Sequence, residues 1–318
     1  MNIDIQYLLF LQMLRQMTGG IFDEFLNAVS KLAVGVLPFI GFIVFWATDK
    51  AWGYRFIFTD YLADLINGVI KLTVCAYRPW IRSSEIEPAG DSKVAATGYS
   101  FPSGHTTLAT ANYGTSFVWL KDKHKKLAYF CIFMILLTGF SRNWLGVHTP
   151  QDVLVGLCHT SLLIFLAGKF SKKFSGNEKA LDRFTIAGVV LTVLSLIYVV
   201  YKPYPMDYID GVLIVDPQAM MNDFYKAVGE VLALLLASYL ERHYIHYEIP
   251  KGHRLLPILS FVGFMIIYTW KELFAPATLV AALGAHWGNL ISRFLLVFFG
   301  VAIWPQIITK VCREDDNK

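Results

Sequence analysis

Residues 102–152 read PSGHTTLATANYGTSFVWLKDKHKKLAYFCIFMILLTGFSRNWLGVHTPQD. Two apolar runs, 103–120 and 127–140, flank a short basic turn, Lys121-Asp122-Lys123-His124-Lys125-Lys126. Apolar runs recurring between short charged turns are the pattern of helices that cross a bilayer. Two such helices in sequence bring the start of the first and the end of the second to one membrane face. That face then receives Ser103, Gly104 and His105 from the first run and Ser141-Arg142 from the second. His148, with Asp152 four residues on, opens the next run on the same face. Upstream, Lys71 and Arg78-Pro79 add two further cations. Charge among apolar segments is costly and marks function. Fixed cations gathered with histidines point to an oxyanion site, phosphate first.

The surrounding chain has the composition of an all-α, polytopic membrane helical bundle. It has 318 residues, 55% hydrophobic and only 16% charged, with 24 Phe, 16 Tyr and 8 Trp. Its apolar runs leave little room for a soluble domain, so one membrane domain over 1–318 is expected. A net charge of +4, with no basic tract interleaved with aromatics, gives no reason to expect nucleic acid as a partner. Cys75, Cys131, Cys158 and Cys312 form no CxxC pair, which argues against structural zinc and a disulfide framework. His243, His246 and His253 lack acidic or cysteine partners at metal-ligand spacing. The start, Met1-Asn2-Ile3-Asp4, lacks the basic region of a cleavable signal peptide.

In order, residues 1–27 read as an N-terminal interfacial helix over 3–17 ended by Gly19-Gly20, with a plain packing helix as the equal alternative. Nine spans follow at about 28–47, 56–75, 103–120, 127–140, 149–168, 184–201, 224–240, 255–270 and 289–308. The last four, over 184–308, are additional to a catalytic core at 56–168. Residues 273–287, apolar but short and Gly-containing, read as a partly inserted or surface segment, the alternative being a tenth span that would put the tail outside. The loop at 76–101 is long enough to suggest function. Turns at 48–55, 121–126 and 169–183 are net basic, and 241–254 carries basic residues, whereas 76–102, 141–149 and 202–223 are mixed or acidic. The charge bias therefore places the N-terminus outside, the C-terminus in the cytoplasm and the candidate site on the outer face.

Locally, Pro102-Ser103 reads as the entry to a helix whose Gly104 lets a ligand approach the backbone. The unpaired N–H groups of that helix start suit an anion. Thr149 reads as an N-cap with Pro150 at the first helical position, and Asp152 is within reach of the His148 ring. A carboxylate so placed would fix the imidazole tautomer and turn the other nitrogen outward as a nucleophile.

These motifs resemble the type 2 phosphatidic acid phosphatase (PAP2) superfamily, which includes lipid phosphate phosphatases, glucose-6-phosphatases and vanadium haloperoxidases. Lys71, six residues, then Arg78-Pro79 matches its first motif. Pro102-Ser103-Gly104-His105 matches the second, and Ser141-Arg142 with His148 and Asp152 matches the third. The resemblance covers roughly 56–168, while nine spans with an outside N-terminus resemble the glucose-6-phosphatase-like and sphingosine-phosphate-phosphatase-like branches. It implies that His148 attacks phosphorus to form a phosphohistidine, that Asp152 orients it and that His105 protonates the leaving oxygen. Lys71, Arg78, Ser103, Gly104 and Arg142 would hold the phosphoryl oxygens. No cofactor, metal or obligate protein partner is implied.

The expected activity is a membrane phosphatase acting on a lipid phosphomonoester or pyrophosphate, with the bilayer as its surroundings. A soluble sugar phosphate such as a hexose 6-phosphate, or phosphotransfer to another lipid, is the alternative. A bacterial cytoplasmic (inner) membrane with an extracytoplasmic site is expected, or an endomembrane with a lumenal site in a eukaryote.

Overall fold

The structure, a computed structural model, describes residues 2–96 and 98–317; Met1, Thr97 and Lys318 lie outside the described residues. The helices are α1 (Ile3–Met17), α2 (Asp23–Gly35), α3 (Ile40–Ala47), α4 (Lys50–Val74), the short α5 (Pro79–Arg82) and α6 (Ser92–Ala95), α7 (Gly104–Leu120) and α8 (Lys125–Trp144). They continue as α9 (Pro150–Phe174), α10 (Glu178–Tyr201), α11 (Pro217–Leu240), α12 (Leu256–Thr269), α13 (Ala281–Leu283), α14 (Ala285–Phe298) and α15 (Trp304–Asp316). Between α10 and α11 a small antiparallel hairpin pairs β1 (Tyr208–Ile209) with β2 (Val212–Leu213). Asp210 and Gly211 turn it with φ of 48° and 77°, the conformation an Asp-Gly hairpin turn favours.

All nine expected spans fold as helix, and among the described residues six helical runs are long and apolar enough to cross a membrane. These are Asp23–Ala47, Lys125–Trp144, Pro150–Phe174, Glu178–Tyr201, Leu256–Leu283 and Ala285–Asp316. The other three spans differ for readable reasons. Helix α7 has only 17 residues, α4 carries Asp60, Asp64 and Lys71, and α11 carries Asp223, Lys226 and Glu230. The segment 273–287 corrects the sequence reading. It is no separate element: the run that begins at Leu256 continues to Leu283 through wide π-type turns and breaks at Gly284, where φ is +77°.

The chain divides into two compact units. The first comprises residues up to Pro38, Ile66–Leu166 and Lys202–Met221. Within it α7 packs along α8, and both pack against α2. The start of α7 lies tight on α9: a Cβ added at Gly156 would sit 3.0 Å from the Ser103 carbonyl oxygen, so a larger residue there would press on the backbone of the α7 start. Leu11, Leu26, Ala89, Ala96, Trp144, Leu145 and Val147 form an apolar cluster that joins α1 and α2 to the loop 83–101 and the end of α8. Burying such side chains contributes about 1.5–3 kcal/mol each before chain entropy is counted.

The second unit comprises Phe39–Leu65, Ala167–Tyr201 and the chain from Asn222 onward. Helix α12 packs on α3 and α15, and the Trp46 indole donates to the Gly300 carbonyl at 2.7 Å. Ion pairs link the segments that the charge bias placed on one side. Lys50 meets Glu241 at 2.5 Å, Arg242 meets Asp182 at 3.1 Å, and Arg254 meets Asp315 at 2.7 Å.

Candidate active site

The site is built in the first unit, at the ends of α7, α8 and α9. Helix α9 starts in a reciprocal cap. The Thr149 backbone N–H donates to Asp152 Oδ2 at 2.8 Å, and the Asp152 N–H points back to Thr149 Oγ1 at 3.4 Å. This is the capping-box arrangement with Asp in the place of Glu. It locks the Asp152 carboxylate to the helix start before any partner arrives. The same carboxylate accepts the Ser100 hydroxyl at 2.5 Å. Asp152 O accepts the Ser103 N–H at 3.0 Å, tying the start of α7 to the start of α9.

His148 is buried against this carboxylate, with Nδ1 3.3 Å from Asp152 Oδ2. Arg78 Nη1 donates to His148 Nε2 at 2.9 Å. An arginine can only donate, so Nε2 carries the lone pair and Nδ1 the proton. The Asn143 amide holds the His148 carbonyl at 2.9 Å. Arg78 is itself fixed by the Gly98 and Val147 carbonyls, at 3.1 and 2.9 Å. His148 thus touches both Asp152 and Arg78.

The other expected ligands divide. Lys71 directs its ammonium to the backbone of the segment before α7, donating to Pro102 O at 2.8 Å and Tyr99 O at 3.2 Å. It therefore braces the loop that leads into Ser103. Ser103 caps α7, its hydroxyl oxygen accepting from Thr106 N at 3.4 Å and Thr106 Oγ1 at 3.0 Å. At Gly104 an added Cβ would meet nothing nearer than Asn67 Oδ1 at 4.0 Å, so packing alone does not demand glycine there. His105 is half-buried, and Arg142, His148, Arg78 and Lys71 all lie close enough to act on its charge, Arg142 most strongly of the four. Arg142 Nη1 donates to Ser30 Oγ on α2 at 2.9 Å.

Electrostatics favour a neutral imidazole at His148. Burial is the main cause and the Arg78 cation the next, and together they push it well below the usual histidine value although Asp152 pulls the other way. Burial also draws the Arg78 guanidinium down to about 10, partly offset by the Asp152 charge, which leaves it cationic at neutral pH. A neutral ring with its Nδ1–H on a carboxylate has the form of a general base or nucleophile.

Ser100, Asn143 and Ser30 are the polar partners that sequence reading did not single out. Ser100 stands two residues before the Pro-Ser-Gly-His motif, and Asn143 directly follows Arg142, so adjacency was the available signal for both. Ser30 has none, being one serine in an apolar run 112 positions from its partner. The histidines of the segment 241–254 sit elsewhere, with His243 3.0 Å from Asp182 and His253 3.4 Å from Asp316.

Residues 52–175 match the sequence model of the PAP2 superfamily. The chain is similar to phosphatidylglycerophosphatase B of Bacillus subtilis (strain 168), 34% identical over 127 residues, which are 38% of this chain and 62% of the relative. It is similar to the undecaprenyl-diphosphatase BcrC of the same organism, 34% identical over 110 residues, 34% of this chain and 51% of the relative. An undecaprenyl-diphosphatase of Sulfolobus acidocaldarius is 24% identical over 131 residues, 41% of this chain and 61% of the relative. The chain thus spans 51% to 62% of the length of these curated relatives. No solved structure matches it.

Proposed function

We propose, from the premise that residues 52–175 are a PAP2-superfamily segment of an all-α polytopic membrane protein, that this chain hydrolyses a lipid phosphomonoester or diphosphate at the site around His148. The observation that carries the reading is the state of that imidazole. Its Nδ1 lies on the Asp152 carboxylate and its Nε2 faces the Arg78 guanidinium, so a phosphate drawn to Arg78 arrives at the nucleophilic nitrogen.

In this reading His148 Nε2 attacks phosphorus and the bond to the leaving oxygen breaks, His105 supplying the proton that oxygen needs. The bound phosphate brings the negative charge that the surrounding cations lack, which favours a protonated His105 at that moment. Water then attacks the phosphohistidine, His105 takes its proton, and inorganic phosphate leaves with His148 neutral again. Arg78 and Arg142 hold phosphoryl oxygens together with Ser103 and the Gly104 N–H, and Lys71 keeps their loop in place while adding its charge. Three fixed cations supply the electrostatic role that metal ions play in other phosphoryl-transfer sites, so no metal is required. By their names the similar proteins act on a phosphatidylglycerophosphate and on undecaprenyl diphosphates, which favours an amphiphilic substrate.

The site is assigned to the outer face, with the N-terminus on that side and nine spans crossing the bilayer, in a bacterial inner membrane. Two observations support this. In the first unit α1 and α2 meet the site end of α8, and in the second the basic segments and the tail are joined by ion pairs. Purified protein in detergent with excess chelator, given a panel of lipid and sugar phosphates, is expected to release phosphate from the lipid phosphates. Release from sugar phosphates alone would overturn the substrate class. Activity lost to chelator and restored by a divalent ion would overturn the metal-free mechanism.

The acid limb of the pH profile gives a further expectation. The reactive form of His148 is neutral and exists above its own pKa, which lies below the ordinary 6.5. Activity therefore persists as pH falls through that value. Measured as kcat/KM against pH, the limb is expected below 6.5, and a limb above it would contradict the neutral buried nucleophile.

A further inference from the structure

Arg142 belongs to the PAP2-matching segment, but the side chain that holds it does not. Its Nη1 donates to Ser30 Oγ at 2.9 Å, and Ser30, on α2, is fully buried. The Ser30 hydroxyl donates in turn to the Asn27 carbonyl at 3.0 Å. With its own proton committed to a helix carbonyl, this oxygen turns a lone pair to the guanidinium, so the polarity of the chain Arg142–Ser30–Asn27 is fixed. The same two N-terminal helices grip the backbone next to Arg142. The Trp144 indole donates to Asp23 Oδ1 at 2.8 Å, and Arg15 donates to Trp144 O at 3.3 Å and to Glu87 O at 2.5 Å.

A guanidinium is planar, so holding one nitrogen fixes the direction of the rest of its donors. Arg142 is 3% exposed, and its Nε has no hydrogen-bond partner among the described residues. Its Nε edge is therefore a buried donor left over at the end of α8, where the site is built.

We infer that Ser30 is a positioning residue of the phosphate site: it holds one edge of the Arg142 guanidinium so that the Nε edge meets a phosphoryl oxygen. This rests on the reading of Arg142 as a phosphate ligand. It makes α2, which lies outside residues 52–175, a working part of the site and not merely its packing. A residue that only docks α2 would affect stability alone, and a residue acting through Arg142 must change oxyanion affinity.

The test compares the full chain in detergent with Ser30→Ala, Ser30→Thr, Ser30→Val, Arg142→Ala and the Ser30→Ala/Arg142→Ala double variant. Asp23→Asn, which loosens α2 without touching Arg142, serves as the packing control. The probe is inorganic phosphate, read both as a competitive inhibitor of turnover and as the rise in thermal midpoint that it causes. Loss of one charge-assisted hydrogen bond is expected to weaken phosphate by about tenfold in Ser30→Ala, with KM rising in step and kcat changing less. Ser30→Thr, which keeps the hydroxyl, should stay near wild type. Ser30→Val has the shape of the threonine variant without the hydroxyl, so this pair decides the matter should the alanine variant fail to fold. In the Arg142→Ala background Ser30→Ala should add nothing further.

Wild-type phosphate affinity in Ser30→Ala, equal affinities in the Thr and Val variants, or an undiminished Ser30→Ala effect without Arg142 would each overturn the inference. The thermal readout needs no turnover. A wild type that binds phosphate but hydrolyses nothing on the panel therefore counts against the functional reading and leaves this inference standing or falling by the variants.

Discussion

His148→Ala is expected to abolish phosphate release, lowering kcat by about four to six orders of magnitude while the protein stays folded. The size follows from the role. In the proposed mechanism His148 Nε2 makes the new bond to phosphorus, and alanine leaves no ring nitrogen to make it. His148 is buried, its Nδ1 lies 3.3 Å from Asp152, and its carbonyl is held by Asn143. Alanine keeps the backbone contact and removes only the ring, so loss of rate without loss of structure separates catalysis from folding. The assays are phosphate release and a thermal transition on the same preparation. Full activity in the variant would remove His148 from the mechanism.

Arg78→Ala carries the second largest effect, about a hundredfold to a thousandfold in kcat/KM. Arg78 is 6% exposed and its nitrogens reach the Gly98 and Val147 carbonyls and the His148 ring. It therefore has two jobs in one plane. It bridges the loop before α7 to the loop before α9, and it presents positive charge at the His148 ring. A lysine can supply the charge but not the flat fork of donors, so Arg78→Lys is expected to recover less than a tenth of the lost activity, roughly the difference between a point charge and a multidentate contact. Recovery to wild-type rates in Arg78→Lys, measured as kcat/KM on the best substrate of the panel, would show that charge alone suffices.

Much of this site was readable because its chemistry is concentrated in a few charged residues among apolar runs. Lys71, Arg78, His105, Arg142, His148 and Asp152 stand out by cost alone, and alternating helix directions bring them to one end. The reciprocal cap of Thr149 and Asp152 was half legible: Thr149-Pro150 marked the helix start, but the use of Asp152 in both the cap and the relay appears only in three dimensions. Ser30 and Ser100 were illegible as partners for a simple reason. A hydroxyl costs little to bury when a nearby carbonyl or carboxylate satisfies it, so it leaves no trace in hydropathy or charge.

The fold shows the same division. Hydropathy found the helices, since each apolar run must satisfy its own backbone in lipid. It separates 273–287 as a short segment, whereas the backbone carries the helix on in π-type turns and breaks at Gly284. The hairpin at 208–213 was readable from Asp210-Gly211 but was passed over as an acidic loop, its strands being two residues each. Helices α4 and α11 keep carboxylates and amines within otherwise apolar runs.

The central claim is that a phosphoryl group passes through His148. It is tested most directly by quenching the purified protein during turnover of a lipid substrate radiolabelled in its phosphate, and mapping the labelled peptide. The account predicts an acid-labile, alkali-stable phosphohistidine at His148, absent from His148→Ala. Phosphate release with no labelled peptide, or label on another residue, would contradict it.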